Sequence, residues 1–189
     1  MKRILALILT LACALCFAAC SEEKKEEKPK KDESSATVPV DETLSIKEEV
    51  ATYLELDDQM KEMLLDSFEA IKEEISEVKT EEDKQGFAEK THDFFEELND
   101  AMSDYYDAFH DAYAEKIGDG SMSQEEKNAH AVFSAEWVAL TGDVLDFNVD
   151  YMLHVELEGW GSVDTDDAYQ AALDLINKCT QLYCGKDIV

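Results

Sequence analysis

The chain has 189 residues, and its 45 Asp and Glu against 17 Lys and Arg give a formal charge of −28 at neutral pH. Residues 40–189 hold 10 lysines and 39 acids, with no arginine. Nucleic-acid affinity rests on basic side chains neutralising phosphates, and bidentate anion recognition on the guanidinium fork, so nucleic acid and anionic small molecules are not expected as partners. A cationic ligand or a basic protein suits such a field.

The first residues read as a processing segment. Lys2 and Arg3 form a positive start, and Ile4 to Leu15 form an apolar run broken only by Thr10. As a helix, Ile4 to Ala19 would span roughly 24 Å, short of a bilayer core of about 30 Å. The run ends in Phe17-Ala18-Ala19-Cys20. This ending resembles the lipobox of bacterial lipoproteins, in which small residues precede a cysteine; Phe17 departs from the usual Leu, Val or Ile. The resemblance implies a signal peptide over residues 1–19, with Cys20 becoming the lipid-bearing first residue. It also implies a palmitate-type anchor in the bilayer on the extracytoplasmic side of the cell membrane, or in an outer membrane where the host has one.

Residues 20–40 then read as a tether. Ser21 to Thr37 contains no large apolar side chain and mixes Lys with Glu, so it cannot bury enough surface to offset ordering entropy. Residues 41–189 form one domain of ordinary size.

That domain reads as all-α, because apolar residues recur at 3.6-residue spacing and no proline follows Pro39. The first predicted helix runs from Ser45 to about Lys79, with a Ser45/Glu48 capping box. Its apolar stripe includes Val50, Leu54, Leu64, Phe68 and Ile75; Asp57 and Lys61 interrupt it, so a break near Leu56–Asp58 is expected. Thr80, followed by three acids, starts the second predicted helix, which runs to about Lys116. Phe87, Phe94, Leu98, Met102, Tyr105, Phe109 and Tyr113 fall on one face of it. Ser123 and Glu126 form a capping box for the third, which runs to about Leu157. This helix is apolar over most of its circumference and should be the most buried. Asp164 or Thr165 caps the fourth, which ends near Tyr183. Short connections make neighbours antiparallel, so the expectation is an up-down-up-down four-helix bundle with three long helices and a shorter fourth.

Few residues suggest chemistry. Glu89-x-x-His92 and Asp107-x-x-His110 have the spacing of di-iron bundle ligands. However, both lie on the same predicted helix with about 27 Å between the histidines, so they cannot share an ion and read as surface residues. Glu115 to Glu126 partly resembles a calcium-binding EF-hand loop, yet Ile117 falls where an oxygen ligand belongs; a turn with a capped helix accounts for these residues. No metal or other cofactor is therefore expected. His130, Thr141 and Asn148 share one face of the third predicted helix as a polar row on an otherwise apolar side. The row is either a small-ligand pocket or a set of groups satisfied by the neighbouring helix.

Trp160, between two glycines, either anchors a partner or folds back over the end of the bundle, and folding back fits better. Cys179 and Cys184 are the cysteines left besides Cys20 after signal removal. Export permits a disulfide, but residues five apart on a regular helix exceed the bridging distance, so a bond requires the last turn to unwind. The alternative is a reduced pair.

No nucleophile elbow, phosphate loop or zinc-protease motif occurs. The sequence therefore points to a membrane-anchored, non-enzymatic binding or scaffold lipoprotein whose partner is an envelope protein or a cationic ligand. The alternative is a cation or small-ligand sensor using the acidic faces or the polar row.

Overall fold

A computed structural model describes residues 43–188. The expected signal segment, Cys20 and the expected tether lie outside the described residues. All regular structure described is helical: α1 Glu48–Tyr53, α2 Asp58–Glu77, α3 Glu81–Gly118, α4 Gln124–Phe147, α5 Leu153–Glu158 and α6 Thr165–Cys184. A π turn, Asn148–Met152, joins α4 to α5, and a 3₁₀ turn, Trp160–Ser162, precedes α6.

The first predicted helix is two helices. The chain breaks after Tyr53, Glu55 adopts a φ of 51°, and Leu54 and Leu56 on either side are buried. Asp57, which interrupts the apolar stripe, is the reason for the break. Its carboxylate accepts from the Met60 backbone N–H at 2.8 Å and so caps α2. The Ser45/Glu48 capping box does not form. Lys47 stands at the cap position without a side-chain bond, and its N–H donates instead to the Tyr183 carbonyl at 2.8 Å. That bond ties the chain entering the domain to the end of α6, where Gly185 closes the helix in the left-handed region at φ 71°.

The Ser123/Glu126 box forms as expected, and Thr80 starts its helix as expected, in a box with Asp83 that the sequence reading did not name. Thr80 and Asp83 exchange bonds at the start of α3, and Ser123 and Glu126 do so at the start of α4. Asp164 caps α6 by accepting from the N–H groups of Asp166 and Asp167.

Contacts run in order along the helix pairs. Phe68 of α2 meets Phe94 of α3, and Glu74 pairs with Lys90. Lys84, Phe87 and Tyr106 of α3 meet Asp166, Tyr169 and Tyr183 of α6. Between α3 and the following helix, Tyr113 meets His130, Tyr106 meets Trp137 and His92 meets Asn148.

The buried centre is α6, not the third predicted helix. Eleven of the 20 residues of α6 are buried, among them Ala168, Ala172, Ile176, Cys179 and Tyr183. In α4 only Phe133, Leu140 and Phe147 are. The reason is position: α6 packs against both α3 and α4, and its alanines let those neighbours approach. The third predicted helix has neighbours on one side alone. Helix α3 buries Phe87, Leu98, Met102 and Phe109 of the expected face and leaves Phe94, Tyr105 and Tyr113 half-buried, while Phe95 and Tyr106 are buried as well, because α2 and α6 both lie against it.

Candidate functional site

The polar row does not converge. Thr141 is exposed, and its hydroxyl donates to the Trp137 carbonyl one turn back at 3.0 Å. Asn148 Oδ1 lies 2.8 Å from His92 Nδ1 on α3, so His92 is half-buried and spans two helices, where the sequence placed it on the surface. His130, about 16 Å along the axis from Thr141, is held between two rings. Its imidazole stacks on Phe109 at 4.3 Å and 8° and on Tyr113 at 3.5 Å and 20° between centroids and planes. Nδ1 reaches Ser134 Oγ at 3.3 Å, and Nε2 is buried with no hydrogen-bond partner. Burial, with a smaller contribution from His110, draws its pKa down to about 4. His130 is therefore the neutral member of an aromatic stack at physiological pH. The three residues have separate partners and separate neighbourhoods.

The remaining singled-out residues take structural positions. Glu126 is engaged by Ser123 in the capping box, which lowers its pKa, and Asp119 is engaged by Ser121 in the turn. Among the described residues no three His, Cys, Asp or Glu side chains are grouped as a metal site. Cys179 and Cys184 are free and buried. Burial pushes the Cys179 thiol far up and that of Cys184 up to about 11, which suppresses thiolate chemistry in both. Trp160 folds back, its indole N–H donating to Glu89 Oε1 at 2.7 Å.

What the sequence did not single out is the outer face of α4 and α5. Leu145, Val149, Leu153 and Leu157 recur every four residues on this face and are 41%, 48%, 44% and 71% exposed. They are four of the seven large apolar side chains most open to solvent among the described residues. Exposed Gly142 precedes them one turn earlier.

The π turn lies within this run. On the inner face Phe147 and Met152 are both buried at a spacing of five, which suits the wider i→i+5 turn. The helix thus carries two apolar faces, one filled by the core and one bare. Apolarity around most of the circumference was the sequence signal for it. A helix of that kind is normally covered all round, and a contiguous open apolar patch marks an interaction surface.

The patch is rimmed by acids. Asp146, Asp150 and Glu156 are exposed beside it. Residues 128–177 contain ten acidic side chains and no lysine or arginine. Lysines from outside that stretch reach two of the ten, Lys178 pairing with Asp143 at 2.6 Å and Lys84 with Asp166. Among the described residues none pairs with the three rim acids.

A shallow cleft of about 700 Å³ opens between α4 and α6, where Glu136, Asp143, Asp174 and Lys178 line it. Its walls mix both charges with Asn177, Gln181 and the apolar Leu140 and Leu182. Comparison with protein families, with curated proteins and with solved structures finds no match to this chain.

Proposed function

We propose that this protein is a lipid-anchored, extracytoplasmic lipoprotein of the bacterial envelope whose helical domain serves a non-enzymatic binding or scaffold role. The anchor reading rests on the Phe17-Ala18-Ala19-Cys20 ending and the apolar run before it. Among the described residues no helix is long and apolar enough to cross a membrane.

We read α2, α3, the α4–α5 helix and α6 as an antiparallel up-down-up-down bundle. Supporting this are the contacts that descend α2 as they climb α3, and descend α3 as they climb α4. Such a bundle gives its third rod one inner and one outer side.

The observation that carries the binding reading is the bare stripe Leu145–Leu157 on a helix whose other side already fills the core. Leaving such side chains in water forgoes about 25 cal/mol for each Å² of apolar area, which a partner would recover.

Two measurements test the reading. Labelling with a fatty-acid probe should mark the wild type and leave Cys20→Ala unmarked and released from membranes. A photo-crosslinker at position 149 in intact cells should couple to a second protein, while one at Asp100, exposed on α3, should not. Equal behaviour of the two positions would remove the binding role, and a membrane-bound Cys20→Ala would remove the anchor.

A further inference from the structure

The occupant of the bare stripe can be narrowed by its rim. The apolar run of Leu145, Val149, Leu153 and Leu157 is about 18 Å long at 1.5 Å per residue, the length of some three turns of a second helix laid alongside. Its edges carry Asp146, Asp150 and Glu156, exposed and without a lysine partner among the described residues. The nearest lysines in the sequence, Lys127 and Lys178, lie outside the run on both sides, and the exposed imidazole of His154 is the one basic side chain within it.

Three occupants meet this rim badly. A second copy related by a twofold axis would set one acidic edge against another, adding to the repulsion between chains of charge −28. An anionic membrane surface would be repelled by the same edge. The chain's own tether, residues 20–40, has lysines but only Val38 and Val40 as large apolar side chains, too few to fill a stripe of four.

We infer that the stripe docks an amphipathic helix of another protein that presents an apolar face flanked by Lys or Arg. In such a complex the partner's apolar residues at i, i+3, i+4 and i+7 would pack between Leu145 and Leu157, as in other helix-on-helix recognition. Its basic flanks would lie over Asp146, Asp150 and Glu156. Apolar contact would provide the affinity, while charge complementarity would fix register and reject acidic competitors. This inference rests on the binding reading above and specifies its partner's chemistry.

The test uses the full lipoprotein in nanodiscs of zwitterionic lipid, with three fluorescent peptides of equal length. One is a Leu/Lys helix with a continuous apolar stripe, the second has the same composition scrambled so that no stripe exists, and the third replaces each Lys by Glu. The striped Lys peptide should bind at least tenfold more tightly than either of the others. Leu145→Ser/Leu153→Ser/Leu157→Ser, which leaves the charge unchanged, should weaken it at least tenfold. Methyl resonances of the wild type should shift at Leu145, Val149, Leu153 and Leu157, a readout that does not depend on how the variant folds.

Equal binding of the scrambled peptide would mean general adhesion to an acidic surface and overturn the inference. Equal binding of the Glu peptide would overturn the basic-partner assignment while leaving an apolar docking face. Concentration-dependent self-association, or binding to anionic vesicles that is lost in the triple variant, would give the stripe to one of the rejected occupants. Failure of all three peptides with a positive crosslink at position 149 would sink this inference alone, and failure of both would sink the binding role with it.

Discussion

His92 Nδ1 lies 2.8 Å from Asn148 Oδ1, joining the middle of α3 to the first residue of the π turn. The bond holds α3 to the point at which the third rod passes from α to π geometry. Removing one partner of a half-buried polar pair costs about 1 kcal/mol. Asn148→Ala and His92→Ala should each lower the free energy of unfolding by that amount. The double variant should cost less than the sum of the two singles, as a double-mutant cycle by urea denaturation will report.

Tyr106 and Tyr183 meet hydroxyl to hydroxyl in the interior, and burial raises both phenols well above their ordinary pKa. The Tyr106 hydroxyl also meets Trp137, whereas that of Tyr183 has Tyr106 as its side-chain partner, so Tyr106→Phe strands the Tyr183 hydroxyl in a dry core and should destabilise by roughly 1–3 kcal/mol. Replacing both by Phe should recover part of that loss, since the buried Tyr183 hydroxyl is then gone. Thermal melts of the two singles and the double decide the point.

His130 makes the fold sensitive to acid. Its imidazole has a pKa of about 4 in the folded chain against 6.5 for an unperturbed histidine. Between those values the unfolded chain therefore takes up a proton that the native one does not. The stability contributed by keeping His130 neutral is complete above about pH 6.5, falls as the pH drops toward 4 and is then lost. His130→Phe keeps the stack on Phe109 and Tyr113 and removes the titration. The stability of this variant relative to wild type should rise as the pH is lowered from 7 to 4.5, measured by urea midpoints at each pH.

The two faces of the third rod should respond oppositely to substitution. Phe147 is 3% exposed, and Phe147→Ala should cost about 3–5 kcal/mol through the cavity it leaves. Leu153 is 44% exposed, and Leu153→Ser should change the stability of the isolated protein by no more than about 0.5 kcal/mol. Denaturant titration of the two variants makes the comparison.

Much of this was legible in the residues. Thr80 with Asp83 and Ser123 with Glu126 announced their helices because a cap is a local bond between neighbours in sequence. Asp57 announced the break before α2 as an interruption of the apolar stripe, and its role as the cap of α2 came only with the structure.

Burial was less legible, because it depends on where a helix sits. The third predicted helix carries more apolar surface than α6, yet α6 occupies the centre. Periodicity records which side chains are apolar and not which of two apolar faces is covered. The polar row failed as a site on similar grounds. His130, Thr141 and Asn148 share an angular position, but some 27 Å of helix separates the first from the last, and each finds a partner of its own. Ser45 and Glu48 have the spacing of a cap, but the tertiary bond from Lys47 to Tyr183 shifted the helix start.

The claim on which the rest depends is that Leu145, Val149, Leu153 and Leu157 are bare in the isolated protein and covered in the cell. Hydroxyl-radical footprinting followed by mass spectrometry reads both states, once on the purified lipoprotein and once on intact cells. The expected result is strong oxidation of these four side chains in the purified protein and marked protection in cells, with Met63 and Ile117, exposed on α2 and α3, oxidised alike in both. Equal oxidation of the four residues in both samples, or their protection already in the isolated monomer, would contradict it.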